Sequence, residues 1–236
     1  MERKLDDLVK RLQKAYGDRL VSVLLYGSAA AGNHHEGFSD LNVLCVLRQV
    51  TSRELGDSAE IFQWWRKLGN PAPLLLSSEE VARSTDCFPI EFHDIKESHR
   101  VLAGEDVVAD LIVEKTFYRA QVEHDLRAKL LRLRQKAAGV LADKDHLRPL
   151  LADSVSTFCV LFRHALLLGG VEAKVSKREV IEQARQAFGI DAAPFLALLD
   201  LRERKIKPRD LDPAPLLEKY MQEIHTVIDF VDRLEK

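Results

Sequence analysis

Residues 24–47, LLYGSAAAGNHHEGFSDLNVLCVL, join two apolar runs through a polar loop, and their reading decides the fold. The first run, residues 20–26, is rich in Val and Leu and predicts a strand that stops at Gly27-Ser28, where glycine turns easily. The second, residues 41–47, is apolar on both faces apart from Asn42, as expected of a strand in the middle of a sheet. Side chains at i and i+2 on a strand share a face, so Asp40 and Asn42 are expected to converge on one point. The Gly27-Ser28 turn offers backbone N–H groups and a hydroxyl suited to phosphate oxygens. Phosphates and a divalent ion would then meet at one sheet edge. Mg²⁺ takes oxygen ligands and shares them between carboxylates and substrate phosphates, so a third acid is expected nearby. Glu91, in FPIEFHDI (residues 88–95), fits that role if the segment is a strand. Ile90 and Phe92 would face the other way, His93 would share the Glu91 face, and Asp94 would turn from it. A carboxylate in such a strand is costly unless it has a partner or a task.

The chain has 236 residues, 46% hydrophobic and 31% charged, enough for one large core or two modest ones. Thirty-five Lys and Arg stand against 37 Asp and Glu, a formal net charge of −2, so the overall field attracts neither nucleic acid nor an anionic membrane. Cys45, Cys87 and Cys159 are widely spaced without metal-type pairing and read as buried reduced thiols of a cytoplasmic protein. The amphipathic start, MERKLDDLVKRLQKAYG, lacks the apolar core of a signal peptide. No stretch reads as a membrane span; the most apolar, residues 154–170, is interrupted by Arg163 and His164.

Leu5, Leu8, Val9, Leu12 and Ala15 predict an opening helix that ends at Gly17-Asp18, and Leu55, Ala59, Phe62 and Trp65 predict another over residues 52–68. Leu74–Leu76 reads as a short strand, and Ser77 with Glu80 as a capping box. From about residue 106 the pattern is helical throughout. A long helix is expected to begin near Val108, Leu111 and Ile112, followed by an apolar central helix over residues 147–168 that ends at Gly169-Gly170. Ser176 with Glu179 reads as a capping box of a helix closed by Gly189, and the last helix should start near Pro213. The expected division is residues 1–105, an α/β domain with a mixed sheet flanked by helices, and residues 106–236, an all-helical bundle domain. His34 and His35, and the basic connector from Arg202 to Arg209, read as solvated side chains.

The Gly-Ser pair, the loop of roughly ten residues and the Asp-x-Asn at residues 40–42 together resemble the signature of the nucleotidyltransferase superfamily typified by DNA polymerase β. Its small two-domain members, such as the aminoglycoside nucleotidyltransferases, are similar in length and carry a helical C-terminal domain. FPIEFHDIKESHRVLAGED resembles the segment carrying their third acid. The resemblance implies that Gly27, Ser28, Asp40 and Asn42 hold an NTP, expected to be ATP, and that Asp40 and Glu91 bind Mg²⁺. It implies catalysis by Asp40 and Glu91, with transfer of a nucleoside monophosphate to a hydroxyl of a small molecule or a protein. Asn42 stands where the family has its second metal-binding Asp, and the loop AAAGNHHEG lacks the basic residue many relatives carry. The alternative is a silenced fold that binds a nucleotide or a partner in the manner of an antitoxin. Polynucleotide binding is disfavoured by the near-neutral charge and the lack of interleaved aromatic and basic residues.

Overall fold

A computed structural model describes residues 1–30, 41–113 and 117–234. The chain divides into two compact units, Met1–Lys115 and Thr116–Lys236.

In the first unit, α1 (Glu2–Tyr16) leads into β1 (Leu20–Tyr26), β2 (Asn42–Leu47), α2 (Ser52–Lys67), β3 (Leu74–Ser77), α3 (Ser78–Arg83), α4 (Pro89–Glu97) and β4 (His99–Gly104). The strands form one mixed sheet in the order β3-β2-β1-β4. β1 runs antiparallel to both β2 and β4, while β2 and β3 are parallel, joined by α2 as parallel pairing requires a crossover. Alternation divides the sheet between two cores. Val23, Leu25, Val43, Cys45 and Leu47 pack with Leu5, Leu8 and Leu12 of α1 and with Ile61 and Trp65 of α2. Leu24, Leu44 and Val46 face the other way, toward Val81 of α3, Phe92 and Ile95 of α4, and Val108. Each face thus buries its own apolar set, which is why β1 and β2 read as continuous apolar runs.

Glu54 ties the first core to the loops around it. It closes the capping box of Thr51 at the start of α2, and its Oε1 accepts from Arg19 at 2.6 Å. The hydrogen bond from Thr51, then that from Arg19, lowers the Glu54 pKa to about 2. Gly104 closes β4 under a tighter constraint. Its φ is +80°, and a Cβ there would lie 2.0 Å from the Val21 carbonyl oxygen, so only glycine lets β4 lie against β1.

Two expectations for this unit are corrected. Residues 88–95 do not form a strand: Pro89 opens the helix α4, and Ile90, Phe92 and Ile95 are its buried residues. Proline suits the first helical turn because its missing N–H would have no partner there. The strand of this region is β4, an edge strand whose half-exposed sequence HRVLAG carries little apolar alternation. No helix begins at Val108 either; that residue packs in the second core, and the next helix starts at Tyr118.

In the second unit the described residues form helices and their connections, without a strand. These are α5 (Tyr118–Ala138), α6 (Lys144–Leu168), α7 (Lys177–Phe188), α8 (Ala193–Arg202) and α9 (Pro213–Arg233). By length and composition α6 is apolar enough to cross a membrane, contrary to the reading of residues 154–170. Its apolar side chains, among them Leu151, Val155, Phe158 and Phe162, are core residues of the unit. Phe158 meets Tyr220 of α9 edge-on, and Phe162 meets Phe195 of α8. Arg163 and His164 are buried too, and the Tyr118 hydroxyl meets His164 Nδ1. Ser176 caps α7 by position but makes no side-chain cap bond, so the expected capping box does not form. Asp143 does cap α6, accepting from the N–H groups of Asp145 and His146.

Candidate nucleotide site

The end of β1 is the centre of the candidate site. Gly27 follows it with φ +77°, a left-handed conformation natural to glycine, and opens a short 3-10 turn, Gly27–Ala29. The turn is fastened at both ends. The Gly27 N–H donates to the Ser98 carbonyl at 3.0 Å, and the Ala30 N–H donates to the Gly27 carbonyl at 3.0 Å. Gly27 therefore does not present an unpaired N–H, as the sequence suggested. The Ser28 N–H is the one without an acceptor inside the turn, because the i→i+3 bonds of a 3-10 turn begin with its third residue, Ala29.

Across the sheet, Tyr26 pairs with Asn42 on one side and with His99 on the other. The three side chains form a row on the face covered by α4, since Leu24 and Leu44, two residues inward, belong to the core that contains Phe92 and Ile95. Asn42 is half-buried, and its Nδ2 lies 3.4 Å from the position of a Cβ built on Gly27. The amide thus rests against the bare Cα of the turn. His99 Nε2 contacts Asp106 Oδ2 at 3.1 Å, and its Nδ1 lies 3.2 Å from the Lys96 carbonyl. The Tyr26 hydroxyl has a raised pKa, chiefly from burial and further from the charges of Glu91 and Asp94.

Gly27 and Asn42 are brought together as expected. Asp40 and the Ser28 side chain lie outside the described residues, as do Ser39, His34 and His35. Glu91 is placed differently. It stands exposed in the first turn of α4 rather than on a strand beside β2. Helical spacing also reverses its neighbours: Asp94, at i+3, comes to its side, and His93, at i+2, leaves it. His93 instead meets Glu97, Nδ1 to Oε2, at 3.5 Å.

Neither later strand supplies a carboxylate, since β3 reads LLLS and β4 reads HRVLAG. The residues that sequence reasoning passed over are Tyr26, Ser98 and His99. Tyr26 stands directly before Gly27, which was a usable signal; Ser98 and His99 were hidden by the misread strand. Among the thiols, Cys45 and Cys159 are buried, which raises each pKa to about 12. Cys87 is exposed, against the expectation that all were buried.

Residues 5–99 match the family model of the nucleotidyltransferase domain. No curated protein matches the chain significantly. Among solved structures, spectinomycin adenyltransferase AAD(9) from Enterococcus faecialis, crystallised with ATP and spectinomycin, is similar at a TM-score of 0.61 and 12% identity. That match covers 98% of this chain and 99% of the other. A toxin-antitoxin structure with AMP-PNP matches at a TM-score of 0.32 and 15% identity, over 58% of this chain and 96% of that one. The stretch of this chain that is similar to the nucleotidyltransferase domain, residues 5–99, holds β1, β2 and β3 of the mixed sheet and the Gly-Ser turn that ends β1.

Proposed function

We propose that the chain binds a nucleoside triphosphate at the Gly27 turn and the adjoining end of β2, and that nucleotidyl transfer at this site is crippled. ATP is the reference ligand, in keeping with the adenyltransferase of similar fold whose structure carries it. One observation carries the reading: β2 begins with Asn42, where the resemblance expects a carboxylate, and β3 and β4 contain no Asp or Glu.

Transfer of a nucleoside monophosphate from an NTP to a hydroxyl depends on positioning and on neutralising charge at the phosphates. Replacing a carboxylate by an amide keeps an oxygen and removes a charge. At about 4 Å and an effective dielectric near 20, that charge is worth about 4 kcal/mol for each unit of charge on the ion. Each ~1.4 kcal/mol of lost transition-state stabilisation is tenfold in rate. The lack of a base on the strands compounds the loss. Asp40 remains as an acid of β2's approach, and Glu91 remains as an exposed carboxylate that would have to reach a small-molecule or protein hydroxyl from α4.

The test combines ATP titration calorimetry with pyrophosphate release, using a panel of hydroxyl-bearing acceptors, on wild type and Asn42→Asp. Both proteins should bind ATP and neither should release pyrophosphate above the buffer rate, because the substitution restores an acid to β2 only. Release by wild type at roughly 1 s⁻¹ or faster, an ordinary enzymatic rate, would overturn the reading.

A further inference from the structure

We infer that His99 is a proton-operated clasp on the Gly27 turn: its charged ring joins the end of α4 to Asp106, and loss of that charge with rising pH loosens the Ser98 anchor. The inference concerns the turn itself and holds whether or not a nucleotide binds there. Ring Nε2 meets Asp106 Oδ2 at 3.1 Å, and Nδ1 meets the Lys96 carbonyl at 3.2 Å. A carbonyl and an ionised carboxylate only accept hydrogen bonds. A neutral imidazole carries one N–H, so it makes one of these bonds and sets a lone pair against the other oxygen; the imidazolium makes both. The Lys96 carbonyl lies in the last turn of α4, where a helix favours a cation. Asp106 supplies the anion, with its pKa lowered first by the hydrogen bond from His99. Imidazole is the side chain that ordinarily exchanges such a proton between about pH 5 and 8.

The clasp bears on the turn through the adjoining residue. Ser98, directly before His99, accepts the Gly27 N–H on its carbonyl at 3.0 Å. Asp106 is itself held in place, accepting from the N–H groups of Val108 and Ala109 at 3.2 and 3.1 Å, and Val108 is buried in the second core. With the ring charged, Ser98 therefore lies in a stretch tied both to α4 and to the segment after β4. The other charged groups on the elements around His99 have partners of their own. Glu97 meets His93, Lys96 Nζ donates to the Leu111 carbonyl, and Arg100 pairs with Glu2 of α1. Glu91 and Asp94 act on Tyr26, the strand neighbour of His99 on β1. Asp106 is the carboxylate that touches the ring. A bond made only by the protonated ring contributes at acid pH and is lost as the pH rises through the ring's titration.

Amide hydrogen exchange is followed by NMR in the full chain at about pH 5 and about pH 8, the limits of that range, with the ring's charge read from its own nitrogen shifts. EDTA is present throughout, so that no metal ion occupies the ring. Corrected for the intrinsic rate at each pH, protection of the Gly27 N–H in wild type should fall about tenfold, the worth of one bond to a charged group. Amides in the middle of α6, in the other unit, should keep their protection. Asp106→Asn supplies an amide that can donate to the neutral ring, so Gly27 should be equally protected at both pH values. His99→Gln, which has no ring to titrate, should be flat as well. A wild-type ring that keeps one charge state across the range, or Gly27 protection that does not follow the ring, would overturn the inference. So would a fall of wild-type size that persists in either variant.

Discussion

Gly27 donates its N–H to the carbonyl of Ser98 at 3.0 Å, and the Ser98 hydroxyl returns a longer bond to the Gly27 carbonyl at 3.4 Å. The Gly27 turn is thus fixed by the residue that precedes β4, across the sheet from β2. Gly27→Ala tests how much of the site depends on this turn. A Cβ would sit at ordinary contact distance from Asn42, so the cost comes from the φ of +77° rather than from collision. That strain is worth about 1–2 kcal/mol. The expected outcome is a folded protein with a melting temperature lowered by several degrees and weakened ATP binding, read by calorimetry.

Gly104→Ala should be far worse. It adds the same kind of φ strain, at +80°, to a Cβ only 2.0 Å from a backbone oxygen that cannot move without separating β1 from β4. A loss of about 3 kcal/mol or more is expected, against about half that for Gly27→Ala. Denaturant unfolding of the two variants in parallel checks the ranking.

Glu54 makes stability depend on acid. Its pKa falls from 4.5 to about 2 in the folded chain, so its contribution is complete above about pH 4.5 and is lost as the pH falls toward 2. Wild type should be more stable than Glu54→Gln at neutral pH, and the gap should close over that acidic window. Denaturant midpoints measured from pH 7 down to pH 2 follow it. A gap that stays constant would show that the carboxylate's charge is not what matters.

The three cysteines should separate by exposure. In native protein a thiol-disulfide reagent should modify Cys87 alone, and slowly, since the neighbouring Asp86 charge raises its pKa. Unfolding in denaturant should release Cys45 and Cys159 as well. Cys87→Ser should abolish the native reaction.

The parts of the fold that could be read from sequence were those with an unambiguous period. β1 and β2 are apolar on both faces because both faces of the sheet are covered, and α1 shows its buried face through Leu5, Leu8 and Leu12. Residues 88–95 were different: Ile90 and Phe92 satisfy a strand's alternation, Pro89, Phe92 and Ile95 satisfy a helix's three-residue spacing, and Pro89 decides for the helix. Misreading it hid β4, an edge strand with a weak apolar pattern, and put Glu91 on the wrong element. For the candidate site, the turn at Gly27 was legible because a strand-ending turn is local, and the structure sets Asn42 beside it. The Ser98 anchor was not, since it depends on a strand 71 residues away.

The central claim is that the site holds a nucleotide and leaves it intact. The direct measurement is equilibrium binding of ATP to the purified chain, followed by chromatography of the nucleotide that stays bound. One equivalent of unchanged ATP is the predicted result; no retained nucleotide, or recovery as AMP and pyrophosphate, would contradict it.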